Sequence, residues 1–427
     1  VASPLHKKER EFPTGGVWSE NGIGLWKCVR GKDGRFYGIA GCDAGPSHIG
    51  GQVFFVRKDW LDKLGLPVPD TLQEIHDTGL RFMQEGLAEM GVCIQGKSPL
   101  VTWQQSCDLI FGAFGAMPQQ WLKTEDGKLS YGSVWPQVKE GLATLRTWYE
   151  EKIIDADFVN RDSGQIDAIG ANKTGIFPSM WWAYCCAIKD SMKNDPAADW
   201  VWTDVPAGPT GLRYRMGGQQ LGTVYSNYFK KGTDPKKIQA VIEHYNYDHA
   251  CMSASSLHIR FLFEGYDYEM DPDGRTVAVK EGYGGSRHLE PGPTDGSFDY
   301  PTERAEGLAK DAALRAKNLA TLTPVEQFSI ADPMNAKINA CHKFILENDY
   351  WQKALTNQFW DVPTPTMQEK NTFLQKLEQE TFLKIITGQA PLDEFDKFVT
   401  QWKAQGGDQI TTEVNEWWEQ TAIPNMT

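Results

Sequence analysis

Short apolar runs alternate with helical stretches along the chain, and this mixture predicts an α/β protein. A strand is predicted at residues 52–57, QVFFVR, because β-branched and aromatic side chains dominate the run. A short helix is expected to follow and to end at Gly65, ahead of two prolines. A second strand is predicted at residues 173–177, KTGIF, and leads into Trp181 and Trp182.

Apolar positions at helical spacing predict several amphipathic helices. Asp70 or Thr71 is expected to cap one that carries Leu72, Ile75 and Leu80. The same periodicity predicts a helix opened by Pro136, a helix over 236–247, a helix ending at Gly388, and a helix opened by Pro391 that Gly406 and Gly407 end.

The stretch from 264 to about 300 is rich in Gly, Asp and Pro and carries a predicted hairpin turn at 271–274, DPDG. We interpret it as an irregular excursion and not as a domain boundary. A calcium loop of the EF-hand type would need Gly at its sixth position, where this chain has Thr276. A turn is therefore the better interpretation.

The composition narrows the functional classes. A chain of 427 residues exceeds one ordinary hydrophobic core and predicts two lobes. Its 41% hydrophobic and 23% charged residues exclude disorder and collagen. The net charge of −13 repels nucleic acid and anionic lipid, and no apolar run approaches the ~18 residues of a membrane span. Exposing the large apolar rings of 16 tryptophans to water costs free energy, so we expect them either in the core or in a binding site.

Familiar catalytic motifs do not occur in the chain. Phosphate-binding, dinucleotide-binding and zinc-protease patterns are absent, and GPSHIG at 45–50 has one residue too many for a nucleophile elbow. His244, Asp248 and His249 fit a solvated helix face better than a metal site. A carboxylate pair for glycoside hydrolysis stays open, because 56 acidic residues always offer candidate pairs.

The eight cysteines show neither CxxC pairs nor the spacing of metal ligands. They are predicted to be buried free thiols. Cys185 and Cys186 are adjacent, and neither is expected to bridge the other easily. The redox compartment stays open on this evidence.

Tryptophans beside polar residues form three clusters. Trp181 and Trp182 follow a predicted strand directly, and open α/β sheets place ligands at the carboxyl ends of their strands. Sugars present apolar C–H faces flanked by hydroxyls, which an indole beside an amide or carboxylate matches. Core packing is the alternative use for such rings. The same arrangement recurs at Trp103 with Gln104 and at Trp360 with Asp361.

Collinear segments between about residues 30 and 415 carry a family resemblance. They resemble extracellular solute-binding proteins of ABC importers, the carbohydrate-type, maltose-binding-like family, and within it the large lipoprotein oligosaccharide binders of Gram-positive bacteria. The segments are DGRFYGI at 33–39, FVRKDWLDKLGL at 55–66, PDT at 69–71, DGKL at 126–129, IDADF at 154–158, KTGIF at 173–177, PTPTM at 363–367, KIITG at 384–388 and LDEFDKF at 392–398.

The resemblance implies a fold and a function. The fold is a two-lobed α/β clamp of the type II periplasmic-binding-protein kind with hinge crossings. Lobe 1 is expected at 1–52 and 217–330, including the irregular excursion at about 264–300, and lobe 2 at 53–216 and 331–427. The implied function is to bind a sugar or oligosaccharide in the inter-lobe cleft and deliver it to the permease subunits of an ABC importer. Neither enzymatic activity nor a cofactor, metal or nucleic-acid partner is expected, and the chain is expected to be a monomer.

The resemblance also implies the ligand-binding residues. Aromatic rings would stack on pyranose faces, and polar side chains would hydrogen-bond to hydroxyls. Two other functions stay open: a polysaccharide-active enzyme with a carboxylate pair, and an adhesion or docking module with an aromatic patch. The expected ligand-binding residues are Asp43, His48, Trp103, Gln104, Trp181, Trp182, Trp360 and Asp361.

Two departures from the family pattern produce further expectations. Family members have about a hundred further residues at the front, so the first lobe is expected to be incomplete at its N-terminus. The signal and lipid anchor of an extracytoplasmic protein, either lipid-anchored at the outer face of the cell membrane or periplasmic, are expected outside this chain. Many relatives carry an acidic, calcium-loop-like insertion after the first long helix. Residues 85–91 lack its Asp/Asn ladder, so no structural calcium is expected there.

Overall fold

Strands and helices alternate along the chain, which confirms the predicted α/β class. None of the helices among the described residues combines the length and apolarity that crossing a bilayer requires. The structure is a computed structural model, and it describes residues 37–40, 52–97, 99–101, 104–162, 167–219, 226–243, 268–270, 277–279, 309, 312–313, 315–318, 321, 333–348, 350, 353–359 and 361–422.

Eleven strands and ten helices are named here. The strands are β1 (Gly38–Ala40), β2 (Gln52–Arg57), β3 (Trp121–Lys123), β4 (Leu129–Tyr131), β5 (Ile176–Met180), β6 (Trp200–Trp202), β7 (Arg215–Gln219), β8 (Ser226–Tyr228), β9 (Tyr268–Met270), β10 (Val277–Val279) and β11 (Ala354–Asn357). The helices are α1 (Lys58–Leu64), α2 (Leu72–Gln84), α3 (Asp108–Gly112), α4 (Gln137–Glu150), α5 (Asp167–Gly170), α6 (Ala187–Asn194), α7 (Pro333–Glu347), α8 (Pro365–Ile386), α9 (Glu394–Trp402) and α10 (Asp408–Trp417).

The chain divides into two compact units. Unit 2 consists of Ile49–Gln220 and Glu347–Pro424, and unit 1 of Val1–His48, Leu221–Leu346 and Asn425–Thr427. Most described residues belong to unit 2. The lobe boundaries expected from the sequence stay a prediction.

The core of unit 2 is built on a three-stranded antiparallel sheet in the order β5-β2-β6. All six residues of β2 are buried, which explains why its apolar positions form a continuous run and do not alternate. Phe177 stacks on Phe55 with ring centroids 5.5 Å apart and meets Trp200 edge-on at 5.2 Å. The predicted strand at 52–57 and the short helix that ends at Gly65, where φ is 67°, are both confirmed.

Arg57 ends β2 as a fully buried guanidinium. Its Nε and Nη2 donate to the carboxylate of Asp59, each over 2.7 Å, and Nη2 also donates to Asp195 over 2.8 Å. Nη1 donates to Asn172 over 2.9 Å, and the guanidinium lies 4.3 Å from the ring centroid of Trp60. Buried charge is tolerated only with such complete pairing. Arg57 therefore holds the sheet to its flanking helices.

Local capping explains where α2 begins. Thr71 Oγ1 accepts from the backbone N–H of Glu74, while the Glu74 carboxylate accepts from the N–H of Thr71. This capping box satisfies two of the donors that a helix start leaves without partners. The predicted cap and helix are confirmed, as is the helix opened by Pro136, whose apolar stripe is buried at Val138, Leu142, Leu145 and Trp148.

The second predicted strand is displaced along the chain. β5 begins at Ile176, and the preceding Thr174 bridges to Met90 instead. A Cβ on Gly175 would lie 2.6 Å from the Trp60 ring, so this glycine permits the close approach at which the pairing changes. The sheet-edge argument for Trp181 and Trp182 was wrong for the described strands, because β5 and β2 are antiparallel and form no parallel carboxyl edge.

The C-terminal region contains a helix that the sequence interpretation missed. Gly406 and Gly407 were expected to end the last helix, but the chain continues through a π-helical segment at Lys403–Gly407 into α10. Gly406 adopts φ 134°, and a Cβ on Gly407 would lie 2.1 Å from the Trp402 ring. The pair therefore kinks the helical path and does not end it. The helix predicted to end at Gly388 is confirmed as α8.

A buried polar cluster joins α8 to the β3-β4 hairpin. Glu378 is 1% exposed, and its Oε2 accepts from the Tyr131 hydroxyl over 3.0 Å. Burial raises the pKa of the Glu378 carboxyl to about 7, against the hydrogen bonds that favour its charged form. The Tyr131 ring stacks on Trp402 with centroids 5.0 Å apart.

The excursion contains a two-stranded pairing. β9 and β10 pair antiparallel, with Met270 opposite Val277, on either side of the predicted hairpin turn. The turn at 271–274 and Thr276 lie outside the described residues. The predicted helix at 236–247 is described over 235–243, so His244, Asp248 and His249 also lie outside.

Candidate functional site

The candidate site begins with a turn that we call the Trp181 turn, residues 181–186. It follows the end of β5 at Met180 and contains Trp181, Trp182 and a 3-10 turn at Ala183–Cys185, and α6 follows it. Both indoles are half-buried. Met180 lies opposite Gln52 in the antiparallel register, so the turn lies beside the start of β2.

A second segment is attached to β5 just before that turn. The backbone N–H of Gln105 donates to the Pro178 carbonyl over 3.0 Å, and the Gln105 carbonyl accepts from the N–H of Gln95 over 2.9 Å. Gln105 adopts φ 49°, the left-handed region that costs a residue with a Cβ about 1 kcal/mol or more. The surrounding hydrogen bonds hold this strained residue and keep Gln104 close to the end of β5.

Four glutamines surround this end of the sheet, and we call them the amide cluster. Their exposures are 0% for Gln52, 0% for Gln95, 8% for Gln104 and 2% for Gln105. An amide both donates and accepts, which is also what a sugar hydroxyl does. Gln95 Nε2 already donates to the Pro99 carbonyl over 2.7 Å. The cluster therefore surrounds this end of the sheet with neutral polar groups, of which Gln104, at 8%, is the most exposed.

The sequence pattern placed Gln104 and its neighbour Gln105 beside Trp103, and it missed Gln52 and Gln95. Gln52 could have been noticed, since it is a polar residue directly before the apolar run at 53–56. Gln95 had no such signal, because only the hydrogen bond between its backbone N–H and the Gln105 carbonyl brings it towards β5.

Two buried charges lie further along the same segment, at Asp108 and Arg215. Asp108 Oδ2 accepts from the N–H of Met216 over 2.9 Å, and burial raises the pKa of this carboxyl to about 6 despite that hydrogen bond. Burial also lowers the pKa of Arg215 to about 10, and its guanidinium carbon lies 5.3 Å from the Tyr350 ring centroid. Both side chains are 0% exposed, so they join α3 to β7 and cannot touch a bound ligand.

The structure brings three of the expected ligand-binding residues to one end of the sheet: Gln104, Trp181 and Trp182. Asp361 is exposed, and its Oδ1 accepts from the N–H of Val362 over 2.8 Å, a local contact. The other expected residues, Asp43, His48, Trp103 and Trp360, lie outside the described residues.

Among the cysteines that the structure describes, one pair differs from the expectation; Cys28, Cys42 and Cys251 lie outside the described residues. Cys93, Cys107 and Cys341 are buried free thiols as predicted, and burial raises the pKa of Cys93 to about 12. Cys185 is exposed and Cys186 half-buried, so the prediction of burial was wrong for this pair. In the part of the chain that the structure describes, no three His, Cys, Asp or Glu side chains converge as metal ligands.

Sequence comparison identifies distant relatives. No protein-family model matches the chain. It is 22% identical over 399 residues to the polygalacturonan/rhamnogalacturonan-binding protein YtcQ of Bacillus subtilis, an alignment that covers 91% of this chain and 71% of that protein. A protein of Niallia circulans without a described function is 22% identical over 285 residues, 66% of this chain.

Structure comparison identifies the fold. The Streptococcus pneumoniae ABC-transporter substrate-binding protein FusA, solved with kestose, superposes with a TM-score of 0.62 at 14% identity, over 99% of this chain and 87% of FusA. The alginate-binding protein AlgQ2 superposes with a TM-score of 0.59 at 15% identity, over 98% of this chain and 82% of AlgQ2. The fold that the resemblance implies is therefore confirmed: this chain has the two-lobed α/β fold of the carbohydrate substrate-binding proteins of ABC transporters.

Proposed function

We propose that the protein binds a sugar or oligosaccharide and delivers it to the permease of an ABC importer. The observation that carries this proposal is the pair of half-buried indoles, Trp181 and Trp182, beside the amide cluster on this fold. In this proposal the two indole faces stack on the C–H faces of pyranose rings, and the Gln104 amide, the most exposed of the cluster, hydrogen-bonds to a hydroxyl. In this proposal Trp103 and Trp360 add stacking faces, and Asp43, His48 and Asp361 add polar contacts.

The relatives support the ligand class. YtcQ is described as binding polygalacturonan and rhamnogalacturonan, and FusA was solved with kestose. Neutral oligosaccharides are the better candidates for this chain, because its net charge of −13 repels anions. Arg57 and Arg215, which could have offset that charge locally, are both 0% exposed.

Binding without catalysis suits the carboxylate next to the site. Asp108 is the acid closest in sequence to Gln104, and it is fully buried and hydrogen-bonded to the Met216 N–H. A general acid has to reach the glycosidic oxygen, which Asp108 cannot do. We accordingly propose a non-enzymatic, monomeric receptor at the extracytoplasmic side of the membrane, lipid-anchored or periplasmic, with permease subunits as partners.

Calorimetric titration of the full chain tests the proposal. The panel contains neutral fructo- and gluco-oligosaccharides and, separately, oligogalacturonates. We expect saturable heat with a neutral sugar. Trp182→Ala should weaken that binding by about 2 kcal/mol, roughly thirtyfold in Kd, if the ring is a stacking contact. Phe373→Ala is the matched control, since Phe373 is an exposed aromatic residue on α8 and should leave Kd unchanged.

Other outcomes separate the alternatives. Release of reducing ends from any polysaccharide in the panel would establish an enzyme in place of a receptor. Absence of heat and of thermal stabilisation with every sugar would remove carbohydrate binding. Preference for oligogalacturonate would keep the receptor and overturn the choice of neutral ligands.

A further inference from the structure

Two consecutive cysteines end the Trp181 turn. The sulfur atoms of Cys185 and Cys186 lie 3.2 Å apart, in hydrogen-bonding contact. Cys185 is exposed and Cys186 half-buried, whereas Cys93, Cys107 and Cys341 are buried. This pair therefore combines mutual contact with access to solvent, and the three buried thiols lack that access.

We propose that Cys185 and Cys186 form a vicinal disulfide and make the Trp181 turn a redox-sensitive modification site. The sequence argument against a bridge was that neighbouring residues are too close for relaxed geometry. Their Cα atoms are about 3.8 Å apart across a trans peptide, below the usual disulfide range of about 4.4–6.8 Å. That strain does not forbid the bond. It makes the bond easier to reduce than a structural disulfide.

The bond forms by thiol–disulfide exchange. Cys185 is the exposed member of the pair and is therefore assigned as the attacking group. Its thiol loses a proton to solvent, and the thiolate attacks a low-molecular-weight disulfide such as oxidised glutathione, from which one thiol leaves. Cys186 then loses its proton to solvent and attacks the mixed disulfide. The Sγ–Sγ bond forms, the second thiol leaves, and the oxidant has accepted two electrons.

The turn couples this bond to the tryptophans. The N–H of Cys185 donates to the Trp182 carbonyl over 3.0 Å, and the N–H of Cys186 donates to the Ala183 carbonyl over 3.1 Å. Closing the eight-membered ring restricts both cysteine backbones, and these hydrogen bonds transmit the restriction to Trp182. A change in sugar affinity with oxidation state follows, a consequence that rests on the proposed function.

Mass spectrometry tests the disulfide directly. The full chain is equilibrated in glutathione buffers of increasing oxidised fraction, quenched, alkylated under denaturing conditions and digested with trypsin. The peptide between Lys173 and Lys189 contains only these two cysteines. We expect it to lose both alkyl groups and become lighter by two hydrogen atoms as the buffer becomes oxidising, and to recover both alkyl groups on return to reduced glutathione.

The outcomes are distinct. Two alkyl groups at every buffer ratio, a stable glutathione adduct, or a cross-link between two chains would each overturn the proposal. Cys185→Ser should leave Cys186 alkylated or glutathionylated, with no internal loss of hydrogen. The peptides carrying Cys93 and Cys341 are the internal control and should stay fully alkylated, because these thiols are buried.

A titration separates this proposal from the proposed function. The oxidised and reduced proteins are titrated with the same sugar. A Kd that differs at least threefold supports the coupling to Trp182, and an identical Kd overturns the coupling alone. Absence of binding in both states contradicts the proposed function, while the mass of the peptide still decides whether the disulfide forms.

Discussion

The two ends of strand β2 use tryptophan in opposite ways. At the Arg57 end, Trp60 and Trp200 pack around the Arg57 guanidinium. The guanidinium carbon lies 4.3 Å from the Trp60 ring centroid and 5.7 Å from that of Trp200, and both indoles are buried. The indole N–H of Trp200 donates to Ser191 over 2.9 Å. At the Gln52 end, the Trp181 turn holds two half-buried indoles beside neutral amides.

The difference shows that burial and hydrogen-bond pairing decide whether an indole stabilises the fold or is available to a ligand. Around Arg57 the carboxylates of Asp59 and Asp195 complete the hydrogen bonds, so this end contributes stability. Around Gln52 the groups are uncharged, and part of each ring faces solvent. This end can therefore exchange water for a ligand at little cost in stability.

Replacing one tryptophan at each end of β2 tests most directly whether the two ends differ in their contribution to stability. Trp200→Ala should lower the free energy of unfolding by about 3–5 kcal/mol, because it empties a fully buried site and removes the hydrogen bond to Ser191. Trp182→Ala should cost about 1 kcal/mol or less. Urea denaturation followed by circular dichroism measures both. Equal losses would contradict the division of roles.

Removing the buried charge tests the Arg57 end further. Arg57→Met should cost about 3 kcal/mol of unfolding free energy, because Asp59 and Asp195 lose their common partner. Lys58→Met is the control, since its exposed ion pair with Asp62 should contribute about 1 kcal/mol or less. The same denaturation measurement applies. If the two variants lose equal stability, Arg57 is not the centre of that cluster.

Glu378, on α8, is a second buried charged group, and unlike Arg57 it should make stability depend on pH. Its pKa is about 7 in the folded chain and about 4.5 in the unfolded chain, so the folded chain retains a proton that the unfolded chain releases. The contribution of this carboxyl to stability is therefore fully present below about pH 4.5 and is lost, by about 3 kcal/mol, as pH rises through 7. Glu378→Gln should remove that slope in chemical denaturation between pH 5 and about 8. The exposed Glu380→Gln should keep it.

The smallest expected loss of stability comes from removing the N-terminal cap of α2. Thr71→Ala removes the side-chain half of the capping box and should cost about 1 kcal/mol. Thr147→Ala is the matched control, because the Thr147 hydroxyl only donates to the Ala143 carbonyl inside α4. A neutral Thr71→Ala variant would show that α2 begins where tertiary packing holds it and that the cap is dispensable.

Much of the local structure could be predicted because its causes are local. The strand at Gln52–Arg57, the cap at Thr71 and the helix opened by Pro136 follow from neighbouring residues alone. The start of β5 could not be predicted, since the pairing of Thr174 with Met90 depends on a segment about eighty residues away. The continuation past Gly406 depends similarly on Trp402 packing against Gly407.

The sequence by itself determined the fold class, the candidate ligand and the tryptophan pair, because composition, apolar periodicity and collinear segments are properties of the chain order. Only the tertiary structure decided which glutamines lie at the end of β5, that Arg57 is enclosed by carboxylates, and that Cys185 and Cys186 touch in reach of solvent. The first two depend on the distance between segments and the third on the conformation of one turn, and the hydrophobic pattern carries no information about either.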